Sequence, residues 1–273
     1  MFTLIIISSA SIGVLGLAFG ALLAAAAKKL KVEQDPRIEQ IHEVLPGSNC
    51  GACGHAGCFA YAKAIVEKEV CITDCAPGGN ETSAGIAEIL GLDAQEQEKT
   101  VAKVRCSGDK KSVAEVGQYQ GLSTCVAVHN SNGGNKACAY GCLGYGDCEH
   151  ACPFDAIVVK EDGLPEVDEE KCTGCGLCVK ACPRMIIEMV PIEAYFFIKC
   201  VSPEFGAKVS KVCKKGCIGC SICVRENNNE GIRMEGKLPV VDHKSFKGDK
   251  TGAEKCPTKV IEFIEEKYKK VKK

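Results

Sequence analysis

The stretch KCTGCGLCVKACP, residues 171–183, decides how the middle of this chain folds. Its four cysteines have the C-x2-C-x2-C-x3-C-P spacing of ligands to [4Fe–4S] clusters, and they are Cys172, Cys175, Cys178 and Cys182. Because the first three are two residues apart, one tight loop can reach three corners of a cubane, and its glycines let backbone amides approach the sulfides. The fourth cysteine lies too far along to close the same cube and ligates the other cluster of a pair. The run therefore predicts a partner run.

The partner run is CLGYGDCEHACP, residues 142–153, and it departs from the pattern at one position. Tyr145 stands where the second cysteine belongs, and Cys138, one helical turn before Cys142, is the natural substitute. In two-cluster ferredoxins, each run gives its fourth cysteine to the other cluster. The expected ligands of the first cluster are therefore Cys138, Cys142, Cys148 and Cys182. Those of the second are Cys152, Cys172, Cys175 and Cys178.

The composition fits small modules held together by metal. The 273 residues can form two or three small domains, and 21 of these residues are cysteine. In a secreted protein so many cysteines would suggest disulfides, but here they fall into cluster-ligand spacings, which indicates reduced thiolates in a reducing compartment. Structural zinc is the competing interpretation, although zinc sites typically use two C-x2-C pairs. The net charge of -1 argues against a nucleic-acid binder.

The N-terminal segment predicts a membrane anchor. Residues 1–27 carry no charged side chain, and residues 4–27 are long enough to cross a bilayer as one helix. No positive segment precedes the apolar run, which argues against a cleavable signal peptide. Lys28, Lys29 and Lys31 follow, so the positive-inside rule places the rest of the chain in the cytoplasm. Small residues on one face predict either contact with another transmembrane helix or a plain lipid anchor, and these are Gly13, Gly16, Gly20 and Ala24.

A second cysteine pattern follows this segment. Its members are separated by two, four and sixteen residues, and they are Cys50, Cys53, Cys58 and Cys75. Residues 59–69 between the last two are expected to form a helix, and Cys71 is expected to be a spare thiol. Glycines give the loop the freedom that a cluster cradle needs. Four cysteines at these spacings are also compatible with zinc.

The order of these features resembles one family. An N-terminal apolar helix, the C-x2-C-x4-C-x16-C module and a two-cluster ferredoxin unit are similar to the B subunits of Rnf complexes, over residues 1–190. That family belongs to membrane ferredoxin:NAD⁺ oxidoreductases, which couple electron transfer to Na⁺ or H⁺ translocation. The resemblance implies [4Fe–4S] at the N-terminal module and a role in receiving electrons from soluble ferredoxin. It also implies other membrane and cytoplasmic subunits as partners.

The C-terminal third repeats part of the ferredoxin pattern. CAYGCLGYGDC at residues 138–148 aligns with CKKGCIGCSIC at residues 213–223, and VRC ending at Cys106 resembles IKC ending at Cys200. The second copy has Asn227 in place of its fourth cysteine, and further downstream only one cysteine followed by proline is kept. One complete site results, with the ligands Cys217, Cys220, Cys223 and Cys256. We interpret this copy as a ferredoxin fold reduced to a single cluster.

Four further cysteines have no regular spacing, namely Cys106, Cys125, Cys200 and Cys213. They can hold a fifth cluster beside the four expected ones. Alternatively the fifth set is Cys106, Cys125, Cys138 and Cys142, or the extra cysteines are buried thiols without a ligand role. The sequence leaves these alternatives open.

The expected fold class is α+β, with five segments in chain order. They are a transmembrane helix (1–27), an N-terminal [4Fe–4S] module (33–90), a two-cluster ferredoxin-like domain with extra cysteines (101–195), a degenerate single-cluster ferredoxin-like unit (196–263) and a basic tail (264–273).

The predicted function is that of a membrane-tethered electron relay. No dinucleotide fingerprint or Walker loop is present, and no acid/base or nucleophile constellation stands out, so we expect no substrate-converting site in this chain. Electrons would pass from reduced ferredoxin toward membrane and flavin/NAD subunits. Lysines can attract an acidic ferredoxin, among them Lys208, Lys211, Lys214 and Lys215. The alternatives are a ferredoxin-like component of another membrane oxidoreductase, a reducing system for a redox-sensing regulator, and a zinc-stapled scaffold.

Overall fold

The computed structural model describes residues 2–29, 35–94, 96–131, 133–228 and 230–272. Within the first helix, the side chains at 3–5, 8, 9 and 27 lie outside this description. Met1 of the predicted membrane segment, the flanking Lys31, the first residues of the predicted module at 33–34, and Lys273 also lie outside the described residues.

Short helices and two-stranded sheets make up the described chain. The helices are α1 (Phe2–Lys29), α2 (Pro36–Val44), α3 (Cys58–Val66), α4 (Gly79–Leu90), α5 (Cys125–Ser131), α6 (Asp147–His150), α7 (Leu177–Ala181), α8 (Ala207–Val212), α9 (Ile222–Glu226), α10 (Thr251–Glu254) and α11 (Glu265–Val271), with a 3-10 turn at Ala76–Gly78. The strands are β1 (Thr100–Val104), β2 (Ile157–Val159), β3 (Pro165–Val167), β4 (Ile187–Pro191), β5 (Phe196–Ile198), β6 (Ile232–Glu235), β7 (Leu238–Val241) and β8 (Ile261–Phe263).

Helix α1 extends over 28 residues and ends on Lys28 and Lys29. Its described apolar side chains face outward, and Leu17, for example, is 76% exposed. In the part of the chain that the structure describes, no helix presents a continuous apolar window of the length needed to cross a membrane.

The N-terminal module is a three-helix cluster formed by α2, α3 and α4. Helix α2 begins after Asp35, whose side chain accepts a hydrogen bond from the Arg37 amide (2.9 Å), and Pro36 suits the first helical position. Helix α4 ends at Gly91 in the left-handed conformation that favours glycine. The buried centre is apolar and contains Ile41, Tyr61, Ala62 and Ile86. With so small a core, the module has few apolar contacts to stabilise it without a metal group.

The first ferredoxin-like unit, residues 100–191, closes on itself through its outer strands. Strand β1 pairs antiparallel with β4, with Ala102 opposite Met189, and the inner strands β2 and β3 form a hairpin. Helices α6 and α7 lie between the strands in chain order and carry or precede the cysteine loops. The core includes Val101 and Ile186, which are fully buried against several cysteines.

The second ferredoxin-like unit, residues 196–263, has the same order of elements. Its outer strands β5 and β8 pair antiparallel, with Phe197 opposite Glu262, and β6 pairs with β7. Helices α9 and α10 take the positions of α6 and α7. Phe196 and Ile232 are buried at its centre. The sequence repeat therefore corresponds to two similar arrangements of strands and helices.

The two units meet along a hydrogen-bonded seam. The Ser107 amide donates to the Lys199 carbonyl (3.0 Å), and the Ala114 amide donates to the Val212 carbonyl (2.9 Å). These bonds join the segment after β1 to Lys199, which follows β5, and to Val212, the last residue of α8. The seam fixes the two units against each other at the positions where the chain leaves the first strand of each unit.

The residues of the predicted basic tail form α11, which lies against the first unit. Lys267 donates to the Glu169 carboxylate and to the Ile192 carbonyl, and Lys103 also pairs with Glu169, at 2.6 Å. The end of the chain therefore connects the second unit back to the first.

Candidate iron–sulfur sites

The N-terminal site consists of the four expected cysteines of the first module, Cys50, Cys53, Cys58 and Cys75. Burial raises the pKa of the Cys75 thiol, and the nearby Cys58, Cys53 and Cys50 thiols raise it further. The loop is held by Asn49, whose side-chain oxygen accepts a hydrogen bond from the Cys58 amide (2.8 Å). The structure thus brings all four thiols of this pattern together. Cys71 is exposed and outside the set.

The regular ferredoxin site is lined by Cys152, Cys172, Cys175 and Cys178, around a cavity of about 10 Å³. The Ala102 amide of β1 donates to the Cys172 sulfur (3.5 Å). Gly174 has a φ of +76°, and a Cβ there would lie 2.7 Å from the Thr100 carbonyl oxygen, so only glycine fits this approach of loop to strand. Burial and the other thiols raise the pKa of Cys178 to about 12. Cys152, which belongs to the other cysteine run, lines this cavity beside the three cysteines of the regular run.

The substituted ferredoxin site differs from the expectation in one ligand. Its cavity of about 20 Å³ is lined by Cys125, Cys142, Cys148 and Cys182. Cys138, the expected substitute for the position of Tyr145, lies at another cavity, because residues 138–142 form a turn and not a helix. Cys125 takes its place from the first turn of α5.

Two contacts place Cys125 at the vacated corner. The Asp147 carboxylate accepts hydrogen bonds from the amides of Cys125 (2.8 Å) and Val126 (3.0 Å), which fixes the start of α5 against the start of α6. Burial raises the pKa of the Cys125 thiol, while hydrogen bonds from the backbone at Asp147 and Tyr145 lower it. Cys125 therefore lies beside the backbone of Tyr145, the residue that stands in place of a cysteine in the motif.

The C-terminal site is lined by Cys217, Cys220, Cys223 and Cys256, around a cavity of about 20 Å³. Burial and the three neighbouring thiols raise the pKa of Cys223 to about 12. Asn227 stands in the position of the lost fourth cysteine, and its buried side chain makes two hydrogen bonds to the backbone. Its amide donates to the Cys223 carbonyl (2.9 Å), and its oxygen accepts from the Asp249 amide (3.0 Å).

The seam site is a set that the sequence did not single out. Cys106, Cys138, Cys200 and Cys213 line a cavity of about 430 Å³ between the two ferredoxin-like units. Both sets considered from the sequence contained Cys125, whereas the structure places Cys138 beside Cys106, Cys200 and Cys213. The signal for this set was the repeat itself, which aligns Cys106 with Cys200 and Cys138 with Cys213.

The donor chemistry of these five sets fits [4Fe–4S] clusters. All 21 cysteines are free thiols. In the described residues no three His, Cys, Asp or Glu side chains converge on one ion, a geometry that a cubane does not require, because each thiolate binds a different iron. Amide-to-sulfur hydrogen bonds and glycine-lined loops are the surroundings that such clusters use.

Comparison with known proteins identifies the family. Residues 45–77 match an iron–sulfur family described as "Fe-S cluster", and residues 138–189 match a "4Fe-4S dicluster domain". The chain is 41% identical to the B subunit of the Na⁺-translocating ferredoxin:NAD⁺ oxidoreductase complex of Acetobacterium woodii, over 96% of this chain and 78% of that protein. It is 37% identical to the B subunit of the ion-translocating oxidoreductase complex of Methanosarcina acetivorans, over 96% of this chain and all of that one.

The chain belongs to the family of B subunits of ion-translocating oxidoreductase complexes. A third relative, the B subunit of the proton-translocating ferredoxin:NAD⁺ oxidoreductase complex of Clostridium ljungdahlii, is 38% identical over 92% of this chain and 89% of its own length. The resemblance inferred from the cysteine patterns is therefore confirmed, and so are multiple [4Fe–4S] clusters as cofactors. The two matched ranges contain the N-terminal site and most of the ferredoxin cysteines. The C-terminal site and most of the seam site lie outside them.

Proposed function

We propose that this protein carries electrons through a series of [4Fe–4S] clusters in an ion-translocating ferredoxin:NAD⁺ oxidoreductase. It would accept electrons from reduced ferredoxin and pass them toward membrane and flavin/NAD subunits, with Na⁺ or H⁺ moved by the other subunits. Identity of 37–41% to members of such complexes over nearly the whole chain carries this conclusion. The described cavities support it, since they are lined by thiols and suit clusters better than an organic substrate.

The proposed ligands are the four cysteines of each of four sites. The N-terminal site, the regular and substituted ferredoxin sites and the C-terminal site each hold one [4Fe–4S] cluster. Thiols with a raised pKa are neutral at pH 7 unless a metal group binds them. Cluster assembly therefore releases protons and stabilises the small cores around each site.

Thiols of different sites affect the pKa values of one another. Burial raises the pKa of Cys175 in the regular ferredoxin site, and Cys50 of the N-terminal site is among the thiols that raise it further. The Cys148 thiol of the substituted site likewise adds to the raised pKa of Cys178. Thiols that affect each other electrostatically are close, so the N-terminal, regular and substituted sites follow one another as an electron path.

The anchor of this path is proposed to be α1, crossing the membrane once with the clusters on the cytoplasmic side. The supporting observation is the sequence of α1, which has no charge before Lys28 and Lys29. Deletion of residues 2–29 tests the anchor. The deleted chain is expected in the soluble fraction of lysed cells and the full chain in the membranes, and equal partition of both would contradict the proposal.

Electron donation is proposed to come from an acidic ferredoxin that approaches the basic side of the seam site. Lys208, Lys211 and Lys215 line this cavity. Lys208 and Lys215 are paired with acidic side chains, which leaves Lys211 and the nearby Lys214 for long-range attraction. Replacing both Lys211 and Lys214 by Glu is expected to slow reduction by ferredoxin at low salt, with less effect at high salt. Lys63→Glu in α3 is the control, and an equal loss in both variants would contradict a specific approach.

The test of the whole proposal uses Cys178→Ala in the assembled complex. One cluster, about four iron atoms per chain, is expected to be lost, and ferredoxin-dependent NAD⁺ reduction is expected to fall by at least tenfold. Cys71→Ala is the matched control and should keep both iron and activity, because Cys71 is exposed and lies outside every cavity described here. Iron analysis and EPR of anaerobically purified protein measure the outcome. Full iron content in Cys178→Ala, or zinc in place of iron in the wild type, would refute the proposal.

A further inference from the structure

The seam site takes two cysteines from each ferredoxin-like unit, at equivalent positions. Cys106 follows β1 by two residues, and Cys200 follows β5 by two residues. Cys138 and Cys213 each precede the first cysteine of a cluster loop by four residues. The two units therefore place the same pair of thiols into one shared cavity, which unrelated buried thiols have no reason to do.

Glycines keep the space between the sulfurs open. A Cβ on Gly108 would lie 3.5 Å from the Cys106 sulfur and 3.6 Å from the Cys213 sulfur. A Cβ on Gly141 would lie 3.3 Å from the Cys138 sulfur and 3.7 Å from the Cys106 sulfur. Two points on the cavity wall are thus each close to a pair of thiols, which brings the Cys106 sulfur near the sulfurs of Cys213 and Cys138.

Backbone amides point at these sulfurs. The Cys106 sulfur accepts hydrogen bonds from the amides of Gly108 (3.4 Å) and Cys142 (3.3 Å). Amide donors stabilise thiolate sulfur and are a usual feature of cluster ligands.

Two contacts connect the seam site with a site on either side. The Cys142 amide that donates to Cys106 belongs to a ligand of the substituted ferredoxin site. On the other side, Cys200 packs against the apolar cluster that contains Cys217 and Cys256 of the C-terminal site. The seam site therefore lies between one site of the first unit and the site of the second unit.

We propose that Cys106, Cys138, Cys200 and Cys213 bind a fifth [4Fe–4S] cluster, which joins the two ferredoxin-like units into one electron path. This inference rests on the proposed function, since it needs the neighbouring sites to hold clusters. Whichever unit the electron comes from, the reduced cluster of a neighbouring site would give one electron to the fifth cluster, and that neighbouring cluster would be oxidised. The fifth cluster is oxidised again when the next site accepts that electron, and no bond or proton changes place.

The test compares Cys213→Ala and Cys138→Ala with Cys71→Ala in the full chain, purified without oxygen. The wild type is expected to hold about twenty iron atoms and each seam variant about sixteen, since a cubane contains four. EPR should lose one cluster signal in the seam variants and none in Cys71→Ala. Rapid reduction by dithionite-reduced ferredoxin should still reach the clusters of one unit, while reduction of the other unit becomes at least tenfold slower.

Several outcomes would overturn the fifth cluster. About sixteen iron atoms in the wild type would do so, as would unchanged iron in both seam variants, or zinc at one atom per chain that Cys213→Ala removes. If the seam variants fail to fold, the iron content of the wild type decides between about sixteen and about twenty. Failure of the proposed function itself is distinguishable, because it would appear as full iron content in Cys178→Ala or as zinc in place of iron throughout the wild type.

Discussion

At the scale of single residues, the ligand missing at Tyr145 is replaced from a distant part of the chain. Tyr145 contacts Tyr119 edge to face, with ring centroids 6.0 Å apart, so its ring is used for packing. Cys125 supplies the thiol, and Asp147 holds it in place. Four thiols therefore line this cavity although the motif lacks one cysteine.

Cys125→Ala is predicted to remove the cluster of the substituted site, and the added change Tyr145→Cys to restore it. Tyr145 occupies the motif position from which a cysteine normally reaches that corner. Iron content and EPR measure the loss of about four iron atoms and their return. Cys138→Ala is the comparison, because it should affect the seam site alone. Loss of the substituted-site signal in Cys138→Ala would restore the ligand set first expected from the sequence.

At the scale of elements, α5 depends on a cap from another helix. Both Asp147 oxygens accept amide hydrogen bonds from the first turn of α5, although Asp147 itself begins α6. The carboxylate thus satisfies orphan amides and also fixes the distance between two helices that carry ligands of one cluster.

Asp147→Ala is predicted to weaken the substituted site without removing any ligand. Loss of a cap costs about 0.5–2 kcal/mol, and here it also frees the Cys125 thiol to move. We expect faster loss of one cluster on exposure to a chelator, followed by the decay of its visible absorbance. Asp147→Asn keeps one acceptor oxygen and should lie between the wild type and Asp147→Ala. Identical decay in all three proteins would show that the cap does not hold the ligand.

At the scale of the whole molecule, α11 and the seam hold two similar units together. Burial raises the pKa of the Glu169 carboxyl, but hydrogen bonds from Lys103 and Lys267 outweigh this and leave it below the ordinary value. A carboxyl with a lowered pKa stabilises the fold at neutral pH, and this stabilisation is lost as the pH falls through the acidic range.

Lys267→Met is predicted to reduce the stability of the fold at pH 7 by about 1–3 kcal/mol, because it removes one partner of a half-buried carboxylate. The difference from the wild type should shrink as the solution becomes acidic and Glu169 is protonated. Thermal unfolding of the cluster-loaded protein at several pH values measures this. Lys270→Met, on the exposed side of α11, is the control, and an equal effect of both changes would assign the loss to the helix and not to the ion pair.

The sequence predicted which cysteines lie together where they are close along the chain. The C-x2-C-x2-C run, the Cys50–Cys58 part of the N-terminal pattern and the Cys217–Cys223 loop each bring thiols together within a few residues, so their spacing suffices. The family assignment and the cofactor class followed from the same runs and are confirmed. Cys125 and Cys138 were exchanged because their places depend on a turn at residues 138–142 and on a cap from α6, and neither has a spacing signature.

The structural feature with the widest consequence is that the seam site draws on both ferredoxin-like units. A cluster there would hold the two units together as well as carry electrons, since its thiolates would add to the main-chain hydrogen bonds, the Lys215–Asp109 ion pair and the apolar contacts that join them. Damage by oxygen to a cluster in this open cavity would then weaken the contact between the two units, and a protease would cut the connecting segments sooner.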